Sequence, residues 1–373
     1  MTAYDNRDYA AWLASAMIPP DILKGIIRLY PTVAEIYSTF LSSGHELREF
    51  LPEACFSLLL RNSHPSVLDL YHDKIRSFNI HTLIIGESNY PEYLKDLPEA
   101  PCILFYQGNP ECLSMPRRIS VVGSRKASYH GIRAARSLSQ ELSRHHVCII
   151  SGLAYGIDAA SHQGCLQGGT PTAAVLGCGL DQQYPKAHAA LRQEIINANG
   201  IVISEYIPGE KPLGWHFPIR NRIISGLGEA LIVMEARKQS GSLTTVDWAL
   251  KQGKEVFAYP GDPSLPLYNE GNHQLLRDGA RFFSKAEHIL EDMNWLDNMN
   301  QQVQNTTSFP EAAHLDPAEQ KIVSLLQAGS MNMDEICIKT GLRADEVMGA
   351  LTMLQLRGIL EILPGKYYQL RAE

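Results

Sequence analysis

The segment Arg118-Ile-Ser-Val-Val-Gly-Ser-Arg-Lys-Ala-Ser128 decides the fold. Ile119 to Val122 is a short apolar run with two adjacent β-branched valines, which reads as a buried strand. Gly123 and Ser124 break it, and from His130 onward Ile132, Ala135, Leu138 and Leu142 recur at helical spacing. The segment is therefore strand, tight turn, helix. Backbone N–H groups at the start of such a helix lack partners and the helix dipole is positive there. That end suits an anion, phosphate above all. Gly123 allows close approach to the backbone, and Arg125 and Lys126 place two positive charges at the same spot. Many α/β domains carry this unit without a ligand, so the motif gains meaning only from its neighbours.

Those neighbours repeat the pattern. Apolar strand segments are expected at 119–122, 147–151, 172–176, 201–204, 230–234 and 256–259, with helical stretches at 130–144, 155–166, 188–199 and 243–252. Short strands alternating with helices predict an α/β, doubly wound, mostly parallel sheet, whose ligands bind where the strands stop. Two further strands, 80–86 and 102–106, flank a Pro-rich loop and lead into this domain, which is expected to span 79–293. Residues 1–78 read as a small helical domain, with helices expected at 9–17, 21–30, 32–39, 45–51 and 67–78, punctuated by Pro19, Pro20, Pro31 and Pro65. The Pro19-Pro20-Asp21 join lacks the glycine turn of a DNA-gripping helical hairpin, so a docking module is expected there. Residues 294–315 are rich in Asn and Gln and have no period, which marks a linker. Residues 316–373 read as three short helices followed by a hairpin, a winged-helix pattern. The helix expected in the recognition position sets Asp345 and Glu346 beside Arg343, so contact with protein is favoured over insertion into a DNA groove.

The net charge of −7 hides an uneven distribution. Residues 1–116 carry 8 Lys/Arg and 14 Asp/Glu, residues 117–290 carry 19 and 14, and residues 291–373 carry 6 and 12. A basic centre between acidic ends points to an anionic ligand on the middle domain. Seven cysteines with no C-x-x-C pair argue against a disulfide framework or a zinc ribbon and for reduced thiols in a cytoplasm. The first residues lack the basic and apolar regions of a secretory signal, and no apolar run is long enough to span a membrane, so no membrane partner is expected.

Six strand ends are candidates for chemistry. After Gly123-Ser-Arg-Lys126 comes Ser151-Gly-Leu-Ala-Tyr-Gly-Ile-Asp-Ala-Ala-Ser-His162, where Gly152 and Gly156 bracket a helix entry sized for phosphate. Asp158 is expected to cap or orient, and His162 to be packed rather than catalytic. In Gly177-Cys-Gly-Leu-Asp-Gln-Gln-Tyr-Pro185 the cysteine occupies a turn where a small residue fits, so no nucleophile is assigned. Phe217-Pro-Ile-Arg-Asn-Arg-Ile-Ile-Ser-Gly226 sets Arg220 and Arg222 around Asn221, two guanidiniums able to grip successive phosphates. The competing reading of these arginines is a structural pair with Glu205 or Glu235. Ser240, Gly241 and Ser242 offer backbone and hydroxyl donors where a helix begins. The turn Tyr259-Pro-Gly-Asp262 is the sixth.

Taken in order, VGSRKAS, SGLAYGIDAASH, AVLGCGLDQQYP, FPIRNRIISGL, EARKQSGSL and VFAYPG resemble the bacterial DNA-processing family DprA, also called Smf. The resemblance covers about residues 103–280 and implies a Rossmann-like fold that binds single-stranded DNA without metal or nucleotide cofactor. It also implies protection of incoming strands in natural transformation, loading of the RecA recombinase, and a homodimer. By that resemblance Gly123, Ser124 and Arg125 hold a phosphate, Arg220, Asn221 and Arg222 line the same groove, and Ser240, Gly241 and Ser242 close it. Lys126 and Gly152 join the expected DNA contacts. Family members often carry a polar residue in the loop before Phe-Pro; here Lys211 is expected to substitute from further back, and Trp215 or Phe217 to stack a base. The alternative is an enzyme of a related Rossmann-like family that binds nucleotides or cleaves nucleoside monophosphates. Such enzymes use P-G-G-x-G-T-x-x-E, and the Ser240–Asp247 turn here lacks the double glycine and the Glu. No catalytic residue is therefore assigned.

Overall fold

The computed structural model describes residues 3–97, 99–262, 265–296, 316–326, 331–356, 359–363 and 367–370. The chain divides into two compact units, Met1–Leu296 and Asp297–Glu373.

The first unit is built on a nine-stranded sheet in the order β1-β2-β6-β5-β4-β3-β7-β8-β9. Its strands are β1 (His81–Ile84), β2 (Ile103–Gly108), β3 (Arg118–Val122), β4 (Cys148–Ser151), β5 (Ala173–Leu176), β6 (Ile201–Ser204), β7 (Ala230–Val233), β8 (Glu255–Ala258) and β9 (Arg281–Phe282). β1 and β2 form an antiparallel hairpin whose second strand lies antiparallel to β6, and β6 through β9 in spatial order are parallel. β3 is fully buried and pairs on both sides, Ile119 opposite Ile149 of β4 and Ala230 of β7. Strands run outward from β3 to β6, and the next, β7, returns to β3's other edge. The crevice at the carboxyl ends of β3 and β7 is thus a topological switch point, the place where doubly wound sheets hold ligands. β9 was not anticipated, because two exposed residues carry no alternation to read.

The helices of this unit are α1 (Asn6–Ala14), α2 (Pro20–Leu29), α3 (Val33–Arg48), α4 (Glu53–Asn62), α5 (Pro65–Ser77), α6 (Glu92–Lys95), α7 (Tyr129–Arg144), α8 (Ile157–Gly168), α9 (Ala189–Asn197), α10 (His216–Leu227), α11 (Leu243–Lys251), α12 (Pro266–Arg277) and α13 (Ala286–Asp292). α3 joins two stretches expected to be separate across a kink at Ser43, and α4 was missed. α10 is the larger surprise. Phe217–Gly226 is expected only as a strand-end stretch, with no helix, but Pro218 falls in the first turn, where the missing N–H costs nothing. α7 and α8 pack closely because Gly168 has no Cβ; one there would strike Ser143.

The helices of residues 6–77 share one continuous apolar core with the sheet: Trp12, Tyr71 and Ile75 belong to the same cluster as Leu176, Cys178 and Leu180. A core shared in this way removes more apolar surface from water than either part would alone. Among the described residues no helix is long and apolar enough to cross a membrane.

The second unit contains α14 (Pro317–Leu326), β10 (Met331–Asn332), α15 (Met333–Thr340), α16 (Ala344–Leu356), β11 (Leu360–Leu363) and β12 (Tyr367–Leu370). Its antiparallel sheet has the order β10-β12-β11, and Ile322, Ile336, Val347, Leu351 and Leu354 form its core. α15 carries a capping box between Asn332 and Glu335 and stops at Gly341 in a left-handed conformation. Most of the expected linker, 297–315, and the hairpin tip, 364–366, lie outside the described residues. Trp295, at the linker's start, is instead buried against Ile289 and Leu290.

Candidate nucleic-acid interface

A groove of about 610 Å³ opens at the switch point, between the β3–α7 loop, the first turns of α10 and the β7–α11 loop. Gly123, Ser124, Arg125, Lys126, Phe217 and Arg220 line it, as do Asn221 and Ser240–Ser242. Gly152 lies in a narrow inner slot that shares Arg125, Tyr184, Phe217 and Arg220 with the groove. The tertiary fold thus gathers most of the expected residues around one trough.

Two of them it does not gather. Lys211 is not among the lining residues; its loop contributes Pro212 and Gly214 instead. Arg222 is buried elsewhere: its Nη2 lies 2.6 Å from Glu205 Oε1, and its Nε donates to the Glu99 carbonyl at 3.0 Å. Arg220, Asn221 and Arg222 therefore do not line one groove as expected. On a helix, residues two apart point about 200° from each other, so a groove on one face of α10 excludes the other.

Phe217, Arg220 and Asn221 occupy one face of α10 at positions i, i+3 and i+4. Arg220 is 3% exposed. Its Nη1 donates to the carbonyls of Gly152, at 3.2 Å, and Val175, while its buried Nε has no partner. A Cβ on Gly152 would lie 2.8 Å from Arg220 Nη2 and 2.7 Å from Asp158 Oδ2, so Gly152 makes room for these two side chains. Asp158 accepts from the Ala154 N–H at 3.3 Å and so orients the β4–α8 loop. It is the only carboxylate among the described lining residues, and burial pushes its carboxyl up despite the nearby guanidinium of Arg220. Burial also pulls Arg220 down to about 10, which leaves it charged at neutral pH.

The first helix does not present an empty amino end to a ligand. Glu235, at the end of β7 and 1% exposed, accepts from the Ser128 N–H with both carboxylate oxygens at 3.1 Å, and from the Ser128 hydroxyl at 3.1 Å. The anion expected there is thus a protein carboxylate, held up by burial. The Ser124 N–H is also consumed, by the Glu235 carbonyl at 2.7 Å, and the Ser124 hydroxyl accepts from the Lys126 N–H at 3.1 Å. Gly123 packs against protein: a Cβ there would lie 2.5 Å from Ile157 Cγ1. The exposed cations Arg125 and Lys126 are the charged side chains that this loop presents to the groove.

Arg125 lies over the Phe217 ring, Cζ 4.8 Å from its centroid, and Tyr184 meets the same ring at 5.5 Å. Asn221 donates to the Thr244 hydroxyl at 3.1 Å, tying α10 to the start of α11. The hydroxyls of Ser240 and Ser242, which also line the groove, are 2.8 Å apart. Tyr184 and Arg237, which also line the groove, were not singled out. Their signal is a tyrosine next to last in the Gly-rich Gly177–Pro185 stretch and an arginine four residues beyond β7. Trp215 is half exposed on the loop before α10. His162 is fully buried with its Nδ1 2.8 Å from the Thr172 hydroxyl, and Cys178 is buried with its thiol pushed up to about 11; both are packed side chains. Among the described residues no three His, Cys, Asp or Glu side chains are grouped to hold a metal.

Residues 81–294 match the family model described as DNA recombination-mediator protein A, and residues 306–366 match that of the DprA winged helix domain. The DNA processing protein DprA of Streptococcus pneumoniae is 44% identical over 206 residues, 55% of this chain and 72% of that protein. The X-ray structure of the S. pneumoniae protein superposes with a TM-score of 0.64 at 32% identity, covering 78% of this chain and 98% of that one. DNA processing protein A from Helicobacter pylori, whose structure is described for its single-stranded DNA binding mode, gives a TM-score of 0.52 at 27% identity. It covers 58% of this chain and 96% of its own.

Proposed function

The chain belongs to the DNA recombination-mediator protein A family, and from that premise we propose that it grips single-stranded DNA in the groove between β3 and β7. In this reading it protects incoming strands during natural transformation and loads RecA recombinase onto them. It acts in the cytoplasm as a homodimer and as a binder, with no catalytic step.

The observation that carries the reading is the pairing of cations with aromatic faces in one trough. Arg125, Lys126 and Arg220 meet backbone phosphates, while Phe217 and Tyr184 offer ring faces to bases. Such a combination holds a strand with little regard to sequence, because every nucleotide has a phosphate and every base a π-face. The H. pylori relative's described single-stranded DNA binding supports the same ligand.

The test is a gel-shift titration with single- and double-stranded oligomers at two salt concentrations. Single strands should bind more tightly, with log K falling by about 0.7 per phosphate neutralised for each tenfold rise in salt. Equal affinity for duplex, or binding indifferent to salt, would remove the reading. A second arm measures RecA filament growth on strands coated with single-strand-binding protein; no stimulation would remove the loading role alone.

A further inference from the structure

The loop from Gly177 to Pro185, which carries Tyr184 to the groove, is built against the amino-terminal helices. Leu180 and Cys178 sit in the core formed by those helices. Asp181 then turns its carboxylate towards α5. Its Oδ2 lies 3.2 Å from Lys74 Nζ, and its Oδ1 accepts from the Gly209 N–H at 2.7 Å. The Asp181 side chain is 5% exposed and that of Lys74 is 37% exposed. A carboxylate so deeply buried is costly without a cation beside it. The backbone is shaped to admit this cation. Gly209 has φ +102°, and a Cβ there would lie 2.5 Å from Lys74 Nζ. On its other side the loop is held by Arg192, whose guanidinium donates to the carbonyls of Leu180 and Gln182.

We infer that Lys74 is a positioning residue for the groove: by pairing with Asp181 it fixes the Gly177–Pro185 loop, and with it the Tyr184 wall, to the amino-terminal helices. This gives the helices a task in ligand binding that their acidic balance would not suggest. The consequence for DNA affinity rests on the single-strand reading above; the bracing of the loop does not. Lys74 meets Asp181 rather than the groove lining, so it acts on affinity through Tyr184 and without touching phosphate.

The experiment compares the full chain with Lys74→Met, Lys74→Arg and Asp181→Asn, and with the double variant Lys74→Met/Asp181→Asn. Amide hydrogen exchange over residues 177–185 is the primary readout. Lys74→Met should exchange there about fivefold faster while residues 123–128 stay as in the parent, and Lys74→Arg should restore protection. The double variant should exchange no faster than the faster single one, since both remove the same interaction. Anisotropy titration of a labelled oligo(dT) at three salt concentrations is the second readout. Lys74→Met should bind about threefold more weakly with the parent's salt dependence, whereas loss of a phosphate contact would flatten the slope by about 0.7. Unchanged exchange over 177–185 in Lys74→Met overturns the brace, and so does a flattened slope, which would place Lys74 on the DNA itself. A parent that binds no oligo(dT) defeats the single-strand reading instead, and the exchange measurement still decides the brace.

Discussion

Arg222 Nη2 and Glu205 Oε1 close to 2.6 Å on the side of α10 away from the groove, two residues from Arg220, which lines it. One helix thus divides two arginines between an ion pair and the groove lining. Arg222→Ala leaves Glu205 without its cation and the Glu99 carbonyl without its donor. The expected cost is about 2 kcal/mol, below that of a fully buried pair because Glu205 keeps partial access to water. Urea denaturation measures it. The salt dependence of DNA binding should stay at the parent value; a flatter slope would put Arg222 in the interface.

Arg125 is exposed and its guanidinium rests on Phe217. Arg125→Ala removes one groove-lining cation and should weaken oligo(dT) binding about tenfold at low salt, flattening the dependence of log K on log salt by about 0.7. Thermal stability should hardly move, since an exposed cation–π contact contributes about 0.5–1 kcal/mol. Parent-like affinity in this variant would take the β3–α7 loop out of the interface.

Gly131 lies where α7 meets Glu235, and a Cβ there would collide with the Glu235 carboxylate. Gly131→Ala should push that carboxylate off the Ser128 N–H and hydroxyl and cost about 2 kcal/mol. A drop in Tm by calorimetry checks this. A variant as stable as the parent would mean that Glu235 does not hold the amino end of α7.

Burial pulls the His162 imidazole down to about 3, with His188 and Arg220 adding unfavourable charge. The unfolded chain therefore binds a proton that the folded one refuses between about pH 6.5 and pH 3. The neutral ring's stabilising effect is complete above pH 6.5 and is lost as pH falls, by about 1.4 kcal/mol per pH unit. Asp158 and Glu235, whose carboxyls burial pushes up, act in the opposite sense at the lower end of that window. Comparing the parent with His162→Gln isolates the imidazole: urea midpoints at pH 7, 5.5 and 4.5 should fall more steeply in the parent. Parallel pH dependences would show that His162 opens to water.

Eight of the nine strands in the first unit's sheet were legible because each is a short apolar run stopped by a turn, a pattern that burial on both faces imposes. α10 was not, because proline and glycine punctuate helices and loops alike and only position within the turn distinguishes them. The site was legible as a set of strand ends. What could not be read was which side chain each backbone turn would spend on its own support. Ser124, Gly123 and Gly152 are expected ligand contacts that the structure uses largely for packing, and Glu235 fills the helix end that seemed made for phosphate.

Chain order alone determined the alternation of strand and helix, the basic middle between acidic ends, and the motif series that names the family. These are local properties, carried by residues a few positions apart. Only the tertiary structure decided which cations face the groove and which are sealed in pairs, and that α5 supplies Lys74 to a loop more than 100 residues away. The reason is that a charge's role depends on the nearest opposite charge and on access to water. Both are set by residues distant in sequence that the fold brings within 4 Å.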